Sequence, residues 1–389
     1  MTAAGKDLAG STASRVKVLF IAPWGANHGG AEQMLSDVLG QLDTNRFSPY
    51  VVFLAPGPLA EEFASAGHPT SVLPIGRLRN PLRVGAAVLR LRRIFEREKP
   101  DMVVSWAAKP HIYAAPAAIL AGMADRLIWW QHSLPTGHWL DRLATVLPAS
   151  SIGCSSEAAA TAQRRLRPRR PTFVVHPGIE LDDAGARTTE AMELFPSRPT
   201  GSTVIGIPGR LQPWKGQIEF LNAIAELRRR GHDVRGAIVG GEAFGRSRGY
   251  RAEVSRAIDR LGLTGAVAVT GQVPDARPYI AAMDIVLNLS QGEPFGIVIV
   301  EAMAMRKPVV ALDAAGPAEI IHSGRTGMLI ADRDAATVAD AVEGLIADPK
   351  LRKTLGERAR TRVEASFTNA QMARSLEMQL DRVRVSIPS

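Results

Sequence analysis

The sequence predicts an α/β protein made of two parallel-sheet domains, each covered by helices. The chain has 389 residues, too many for one ordinary hydrophobic core. Short β-branched runs alternate along it with stretches of helical spacing, which is the pattern of parallel strands joined by helical crossovers. Several of these runs end in glycine-containing loops, the places where parallel sheets bind their ligands.

Composition and charge narrow the class of protein. A hydrophobic fraction of 46% and a charged fraction of 22% exclude a disordered chain, and no apolar run reaches the ~20 residues that span a bilayer. Cys154 is the only cysteine, so we expect no intrachain disulfide and a reducing, cytoplasmic setting. The net charge of +9 favours an anionic partner. An aromatic fraction of 5% without a basic-aromatic platform argues against nucleic acid.

The most informative stretch runs from Met283 to Met305. Ile285 to Leu289 form a short apolar run typical of a buried strand, and Gly296 opens a second apolar run that we predict to be a helix. The unpaired N–H groups and the dipole at such a helix start favour a phosphate or diphosphate. Glu293 lies just before this start and Glu301 one to two turns inside it. Two carboxylates therefore flank a predicted anion site.

These residues resemble the E-x7-E signature of retaining glycosyltransferases of family 4, the glycosyl transferases group 1. That family has the GT-B fold, two Rossmann-like domains facing a central cleft. The resemblance implies that Glu293 holds hydroxyls of the donor sugar and Glu301 those of the nucleotide ribose. It also assigns Phe295, Gly296 and Ile297 to donor binding. It covers nearly the whole chain and is strongest from residue 203 to 330.

A second predicted strand end carries two cations. The strand Thr203 to Pro208 is followed by Gly209, Arg210 and Lys215, with the family's G-R-L-x-x-x-K-G pattern. The planar fork of arginine and the mobile charge of lysine both suit the oxygens of a diphosphate. Further strand-to-loop transitions resemble those that line the nucleotide in the family, and they assign to donor binding Gly240, Gly271, Gln272 and Val273.

The amino-terminal half begins with a predicted strand, Val16 to Pro23, and a glycine loop. Gly29 and Gly30 in this loop resemble the family's first loop, which faces the cleft near the donor phosphate and the acceptor. A later strand, Leu127 to Trp130, is followed by His132, which matches a family histidine that contacts the transferred sugar. We expect the other two histidines of this region to be structural or peripheral; they are His111 and His138.

The resemblance and the loop composition divide the chain. We predict a disordered tail at residues 1–14, an acceptor-side Rossmann-like domain at 15–180 and a polar, proline-containing linker at 181–201. A nucleotide-sugar-binding domain follows at 202–371. A last helix, at 372–389, is expected to return to the first domain. Ser155-Ser156-Glu157 predicts a helix cap. The loop from Ala314 to Ile321 corresponds to one that approaches the donor phosphate in the family.

One predicted helix, from Pro81 to Lys99, has a basic face. Helical spacing puts an apolar stripe on one side and four arginines on the other, namely Arg83, Arg90, Arg93 and Arg97. Arg77 and Arg79 lie just upstream. One interpretation is an ordinary surface helix. The other is a strip that binds the anionic inner face of the cell membrane, or an acceptor there, because each cation near such a surface gains about 1 kcal/mol.

The resemblance implies a retaining hexosyltransferase that takes a sugar from a UDP- or GDP-sugar to an acceptor hydroxyl, in a lipid-linked acceptor or a polysaccharide. Arg210, Lys215 and the helix start at Gly296 would stabilise the leaving diphosphate, so we expect no metal ion and no other cofactor. Two alternatives remain. One is a nucleotide-sugar epimerase of the same architecture, with Glu293 and His132 as acid and base. The other is a non-catalytic, anion-binding regulatory module.

Overall fold

Two parallel sheets organise the computed structural model, which describes residues 15–26, 29–75, 80–181, 194, 201–242 and 249–386. The first has seven strands and the second six, as the sequence predicts. The predicted tail, most of the predicted linker and the two upstream arginines at positions 77 and 79 lie outside the described residues.

The first sheet has the strand order β3-β2-β1-β4-β5-β6-β7. Its strands are β1 (Val16–Ala22), β2 (Phe47–Phe53), β3 (Thr70–Val72), β4 (Met102–Ser105), β5 (Leu127–Gln131), β6 (Ser151–Cys154) and β7 (Thr172–Val174). The helices around it are α1 (Gly30–Gln41), α2 (Pro58–Ser65), α3 (Pro81–Glu98), α4 (Ala108–Leu120), α5 (Trp139–Val146) and α6 (Glu157–Arg165). Every strand pair is parallel, so each strand is joined to the next by a crossover that passes over a face of the sheet.

The second sheet has the order β10-β9-β8-β11-β12-β13. Its strands are β8 (Thr203–Pro208), β9 (Val234–Val239), β10 (Val267–Val269), β11 (Ile285–Asn288), β12 (Val309–Leu312) and β13 (Met328–Ile330). The helices are α7 (Gln217–Arg229), α8 (Tyr250–Arg260), α9 (Arg277–Ala282), α10 (Ile297–Ala304), α11 (Ala315–Ile320), α12 (Ala335–Ala347), α13 (Pro349–Ser366) and α14 (Asn369–Ser386). The predicted strand and helix on either side of Glu293 are thus β11 and α10.

Both faces of the first sheet are buried, which explains its almost continuous apolar strands. Val18 and Phe20 of β1 belong to one core, whereas Leu19 and Ile21 belong to the core on the opposite face. This alternation follows from the two-residue period of a strand. The first core contains residues of α1 and α2, and the second contains residues of α3 and α4.

Helix α14 follows the second sheet in sequence but packs on the first domain. Leu376 is fully buried in the core that contains residues of α1. The carboxylate of Glu377 accepts hydrogen bonds from the backbone of Asp43 at 2.9 Å and from the side chain of Arg46 at 3.1 Å. Ile179 exchanges backbone hydrogen bonds of 3.0 Å with Phe367 and Asn369. The chain therefore runs between the two domains twice, and the two crossings are hydrogen-bonded to each other.

Candidate active site

Loops at the carboxyl ends of the two sheets approach each other, and the space between the domains is called the cleft below. Gly29 caps α1 and Gly30 begins it. A Cβ added to Gly30 would lie only 2.8 Å from Cδ1 of Ile297, the first residue of α10. Ser156, just after β6, donates a hydrogen bond of 2.5 Å to the carbonyl of Pro294 in the loop after β11. Loops from the carboxyl edges of both sheets therefore meet at the predicted phosphate and sugar residues.

The turn after β8 presents Lys215 to the cleft. Gly216 closes this turn with φ of +82°, a left-handed conformation that favours glycine. A Cβ on Gly216 would lie 2.7 Å from the Cβ of Leu289 at the end of β11. The close approach of these two backbones holds the Lys215 turn against the loop that carries Glu293.

The predicted phosphate cation and the predicted sugar carboxylate form an ion pair. Nζ of Lys215 donates to Oε2 of Glu293 at 2.5 Å, and the two side chains are only 16% and 10% exposed. Nζ of Lys215 also lies 4.2 Å from the centre of the Trp214 ring, a favourable cation-π distance. Arg210 lies in the same turn, is half-buried, and its carbonyl accepts a hydrogen bond of 2.9 Å from Gln217.

Helix α10 begins at the glycine that the sequence indicates. Gly296 has φ of +111° and occupies the N-cap position of α10. The ring of Phe295 is 3% exposed and packs in the core of the second domain, where it stacks on the ring of His176 at 5.6 Å. The sequence assigned Phe295 to donor binding, but this side chain is directed into the protein. Only the backbone of Phe295 is left to contact a ligand at the helix start.

Glu301 lies in an acidic environment that spans both domains. It is half-buried, and burial raises the pKa of its carboxyl to about 7, with a further increase from the nearby charges of Asp275 and Asp37. Burial also raises the pKa of Asp37, which lies on α1 of the first domain. Arg277 is a cation near the carboxyls of Asp37 and Glu301, and its side chain pairs with Asp275 at 2.8 to 3.0 Å.

Sequence reasoning missed Asp37, Asp275 and Arg277. The last two follow Val273 by only two and four residues, so extending the predicted nucleotide loop would have found them. Asp37 has no such signal, because it sits in the middle of a helix in the other domain and only the folded chain brings it near Glu301.

The loops after β8, β9 and β10 lie side by side. Gly240 forms an antiparallel bridge with Gly271, and a Cβ on Gly241 would lie 2.7 Å from the backbone nitrogen of Gln272. Gln272 is exposed and Val273 is half-buried. These glycines allow three strand-end loops to pack closely next to the Lys215 turn, as a nucleotide-binding edge requires.

His132 lies at the cleft end of the first sheet, one residue after β5. Its ring packs 5.0 Å from that of Trp106 and 6.3 Å from that of Trp130, and it hydrogen bonds the backbone of Trp106. Burial lowers the pKa of His132 to about 3, so the imidazole is neutral at physiological pH. Its Nε2 is buried and has no hydrogen-bond partner in the part of the chain that the structure describes.

His111 and His138 fit the structural or peripheral roles expected of them. His111 is fully buried, stacks on Trp129 with ring centres 5.0 Å apart, and its Nδ1 lies 3.0 Å from the hydroxyl of Ser105. His138 is exposed and precedes α5. The burial of His111 leaves it a structural role, and His138 has a peripheral position.

The predicted basic helix is α3, and its buried stripe is the predicted one. Val88, Leu91 and Phe95 are buried, whereas all four arginines of the strip are exposed. One arginine of the strip is paired with an acid, because Arg97 donates to Oε1 of Glu98 at 2.8 Å.

Exposed leucines flank the same strip. Leu82 is 85% exposed and Leu89 is 48% exposed, and helical spacing puts both on the same face of α3 as Arg93. Among the described helices, none combines the length and the apolarity needed to cross a bilayer. The strip is therefore a mixed basic and apolar surface, and three of its arginines form no ion pair with a described residue, namely Arg83, Arg90 and Arg93.

Two protein-family models match the chain. The model described as "Glycosyltransferase Family 4" matches residues 28–183, and the one described as "Glycosyl transferases group 1" matches residues 192–362. The first match falls on the seven-stranded domain and the second on the six-stranded domain, which contains Lys215, Glu293 and Glu301.

Curated relatives and solved structures agree with these models. The chain is 31% identical over 237 residues to the alpha-D-kanosaminyltransferase of Streptomyces kanamyceticus, and the match spans 58% of this chain and 58% of that relative's length. It is 27% identical over 360 residues, 87% of this chain and 91% of the relative, to the GDP-mannose-dependent alpha-(1-6)-phosphatidylinositol monomannoside mannosyltransferase of Mycobacterium tuberculosis. Anabaena HepE, solved in complex with UDP and glucose, is similar with a TM-score of 0.80 and 26% identity, covering 94% of this chain and 100% of that one.

Proposed function

Because the chain belongs to the family 4 glycosyltransferases, the glycosyl transferases group 1, and has their GT-B fold, we propose that it moves a hexose from a nucleoside-diphosphate donor to an acceptor hydroxyl. The donor is a UDP- or GDP-sugar. HepE was solved with UDP and glucose, and the mycobacterial relative is named as GDP-mannose-dependent, which supports this class of donor.

The observation that carries the proposal is the Lys215–Glu293 pair next to the start of α10. An ammonium and the free N–H groups of a helix start both suit a diphosphate, whereas a carboxylate suits sugar hydroxyls. The pair sits in a cleft between two domains, so a donor bound there would have its phosphates near Lys215 and its sugar near Glu293. The acceptor would then approach from the side of the first domain.

The charges of this site suit a reaction without a metal ion. When the bond between the anomeric carbon and the diphosphate oxygen breaks, its electron pair goes to that oxygen. Arg210, Lys215 and the N–H groups at Gly296 would stabilise the resulting negative charge. The acceptor hydroxyl attacks the same face of the sugar and gives its proton to the leaving phosphate oxygen, which retains the anomeric configuration. Support for retention comes from the family resemblance.

The geometry disfavours the epimerase alternative. An epimerase would need an acid and a base on the sugar, and Glu293 and His132 were the candidates. Glu293 is held by the ammonium of Lys215, and the imidazole of His132 is neutral because burial lowers its pKa to about 3. A neutral imidazole of this kind is not poised to exchange a proton with the sugar near neutral pH, so the two residues do not form the acid and base pair that an epimerase needs. A non-catalytic, anion-binding module would need only cations, so the carboxylate of Glu293 paired with Lys215 favours a site that binds a sugar as well as phosphates.

We propose that the acceptor is lipid-linked and that the protein acts on the cytoplasmic face of the membrane as a peripheral protein. The basic and apolar strip of α3 supports this proposal, since arginines attract anionic headgroups while Leu82 and Leu89 can enter the interface. The mycobacterial relative, which by its name acts on phosphatidylinositol monomannoside, also supports it.

The test is incubation of the purified protein with a panel of UDP- and GDP-sugars, with and without lipid extracts and with chelator present. Mass spectrometry of the products distinguishes the alternatives, because a transferase yields a glycosylated acceptor, an epimerase a changed sugar nucleotide, and a binding module neither. Thermal shifts with the same panel identify the donor, because a ligand at 100 times its dissociation constant adds about 2.7 kcal/mol of stability. If no donor shifts the melting temperature and no transfer product forms, the proposal is wrong.

A further inference from the structure

The first turn of α6, in the first domain, is held by a carboxylate from the second domain. The backbone nitrogens of Glu157 and Ala158 donate to the two carboxylate oxygens of Glu319, at 2.8 and 2.7 Å. The N–H groups of a helix's first turn have no partner within the helix, and they carry the positive end of its dipole. Glu319 supplies both acceptors and the negative charge that this turn needs, and it does so across the cleft.

A second bond joins the same two domains, again with its donor in the first domain and its acceptor in the second. Ser156 is fully buried and caps α6, because its hydroxyl oxygen accepts from the backbone of Ala159 at 3.0 Å. The same hydroxyl donates to the carbonyl of Pro294 at 2.5 Å. Pro294 directly follows Glu293, so the cap of a helix in the first domain is bonded to the loop that carries the proposed sugar-binding carboxylate.

The two contacts are joined through α11. The backbone nitrogen of Gly316, in α11, donates to the carbonyl of Glu293 at 3.1 Å, and Glu319 lies one turn further along the same helix. Arg362 fixes the far end of α11 by donating to the carbonyl of Glu319 at 2.7 Å and to that of Ile320 at 2.5 Å. Two successive carbonyls of the donor loop, those of Glu293 and Pro294, are thus held from α11 and from α6.

We infer that Ser156 and Glu319 form a clasp between the domains that positions Glu293 and Lys215 for sugar transfer, a role that rests on the proposed function. The side chains of both residues bond backbone groups of α6 or of the donor loop, so both are positioning residues. When the cleft opens to admit a donor, the bonds of the clasp break and their groups return to water. Such bonds give only a modest net stabilisation, which suits a contact that must form and break in every cycle.

His176, at the end of the first domain, rests on this clasp. Its Nε2 lies 3.3 Å from Oε2 of Glu319, and its ring stacks on Phe295, two residues after Glu293. The contact adds a third link between the first domain and the donor loop. His176 is close to the point where the chain crosses between the domains. Its ring therefore keeps the carboxylate of Glu319 directed at α6.

The test uses Glu319→Ala in the full-length protein, with Asp334→Ala as the matched control. Asp334 also caps a helix with its carboxylate, accepting from Ala336 and Thr337 at 3.0 and 3.1 Å, but the helix belongs to its own domain. Hydrogen exchange of the amides of Glu157 and Ala158 reports on the clasp directly. We expect these amides to exchange about tenfold faster in Glu319→Ala and to be unchanged in Asp334→Ala.

Kinetics and calorimetry separate positioning from a general loss of structure. In Glu319→Ala we expect kcat to fall by about tenfold, while the dissociation constant of the free nucleotide stays within about twofold, because the proposed nucleotide site lies in the second domain. Ser156→Asp keeps a capping acceptor but cannot donate to Pro294, and its effect on kcat should not add to that of Glu319→Ala.

Two outcomes overturn the clasp. One is unchanged amide exchange at Glu157 and Ala158 in Glu319→Ala. The other is a loss of kcat no larger than that of Asp334→Ala. If the wild-type protein transfers no sugar, the proposed function fails, yet the exchange measurement still decides whether Glu319 holds α6. A fall in nucleotide affinity equal to the fall in kcat would assign Glu319 to the binding site instead.

Discussion

Nζ of Lys215 and Oε2 of Glu293 lie 2.5 Å apart, so the cation expected to bind phosphate and the carboxylate expected to bind sugar neutralise each other. The two residues are 78 positions apart in sequence and meet because β8 and β11 are neighbours in the second sheet. Each side chain is largely buried, so water cannot adequately solvate either charge when its partner is removed. The pair is therefore both a structural element of the cleft and the centre of the proposed chemistry.

Removing either cation near the donor phosphates should slow transfer. We expect Arg210→Ala and Lys215→Ala each to lower kcat by roughly 10²-fold, the typical effect of a lost transition-state donor. Arg235→Ala is the matched control, because Arg235 is a half-buried cation that pairs with Asp233 at 3.8 Å at the opposite edge of the same sheet. Steady-state assays of the folded variants measure the effect. Near wild-type rates in both cleft variants would contradict the assignment.

Stability should distinguish Lys215 from Arg210. Lys215→Ala leaves the carboxylate of Glu293 buried without its cation, and breaking a buried pair in this way costs about 3 kcal/mol or more. The double variant Lys215→Met with Glu293→Gln should recover much of the free energy of unfolding while remaining inactive. Urea denaturation of Arg210→Ala, of Lys215→Ala and of the double variant provides the measurement. A double variant as unstable as Lys215→Ala would show that the pair does not act as a unit.

The two carboxylates of the E-x7-E pattern should have separable effects. Glu301 lies inside α10 near the nucleotide loops, whereas Glu293 precedes the helix and faces Lys215. We expect Glu301→Gln to weaken binding of free UDP or GDP, and Glu293→Gln to slow transfer while the nucleotide still binds. Calorimetry with the free nucleotide decides between them. Equal losses of affinity in the two variants would exclude separate roles.

Nucleotide affinity should depend on the protonation of Glu301. Burial raises the pKa of its carboxyl to about 7 in the free protein, and ribose hydroxyls would donate to the ionised form. Nucleotide binding then lowers this pKa, so affinity should be full above pH 7 and fall by about tenfold for each pH unit below it. Calorimetry from pH 5.5 to 8.5 tests the slope. Glu301→Gln should remove the slope; a slope that persists in this variant would place the titrating group elsewhere.

His132 should act as a neutral hydrogen-bonding group. Burial lowers its pKa to about 3, so its ring should not titrate between pH 5 and 8. NMR of the histidine rings measures this, with His132→Asn to assign the signal. We expect the same variant to lower kcat, because the family resemblance assigns His132 to the transferred sugar and its buried Nε2 has no hydrogen-bond partner among the described residues. A His132 signal that titrates near pH 6.5 would reopen the acid and base role of an epimerase.

Membrane binding should depend on α3. The triple variant Arg83→Gln, Arg90→Gln and Arg93→Gln removes the exposed cations of the strip that form no ion pair with a described residue. The double variant Leu82→Ser with Leu89→Ser removes the exposed leucines. We expect wild type to sediment with phosphatidylglycerol vesicles at low salt, less at high salt because of screening, and less in both variants.

The control for this experiment changes three exposed arginines of the second domain to glutamine, at positions 256, 260 and 358. It alters the net charge equally but leaves α3 intact, so it should sediment like wild type. If the control and the α3 variant sediment alike, the binding reflects overall charge. A wild type that stays in the supernatant at low salt would make a soluble acceptor the better interpretation.

The sequence alone determined the sheets and most of the strand-end loops. Strands buried on both faces must be continuously apolar, which is why β4, β8 and β11 stand out without any structural information. The last helix begins at Asn369, before the predicted residue 372. Strand β2 contains Pro49, which pairs with β1 on one side only, because β3 joins the strand from Val51 onward. A proline is tolerated where a strand has one neighbour.

The tertiary structure alone decided which of the predicted groups touch. Sequence patterns assigned Lys215 and Glu293 to different parts of a donor, and only the order of β8 and β11 in the sheet made them an ion pair. The packing of the two domains brings Asp37 near Glu301, and it brings the carboxylate of Glu319 to the first turn of α6. Local sequence fixes strands and turns because they depend on neighbouring residues. Contacts across a cleft depend on how two separately folded cores pack together, and that information is spread over the whole chain.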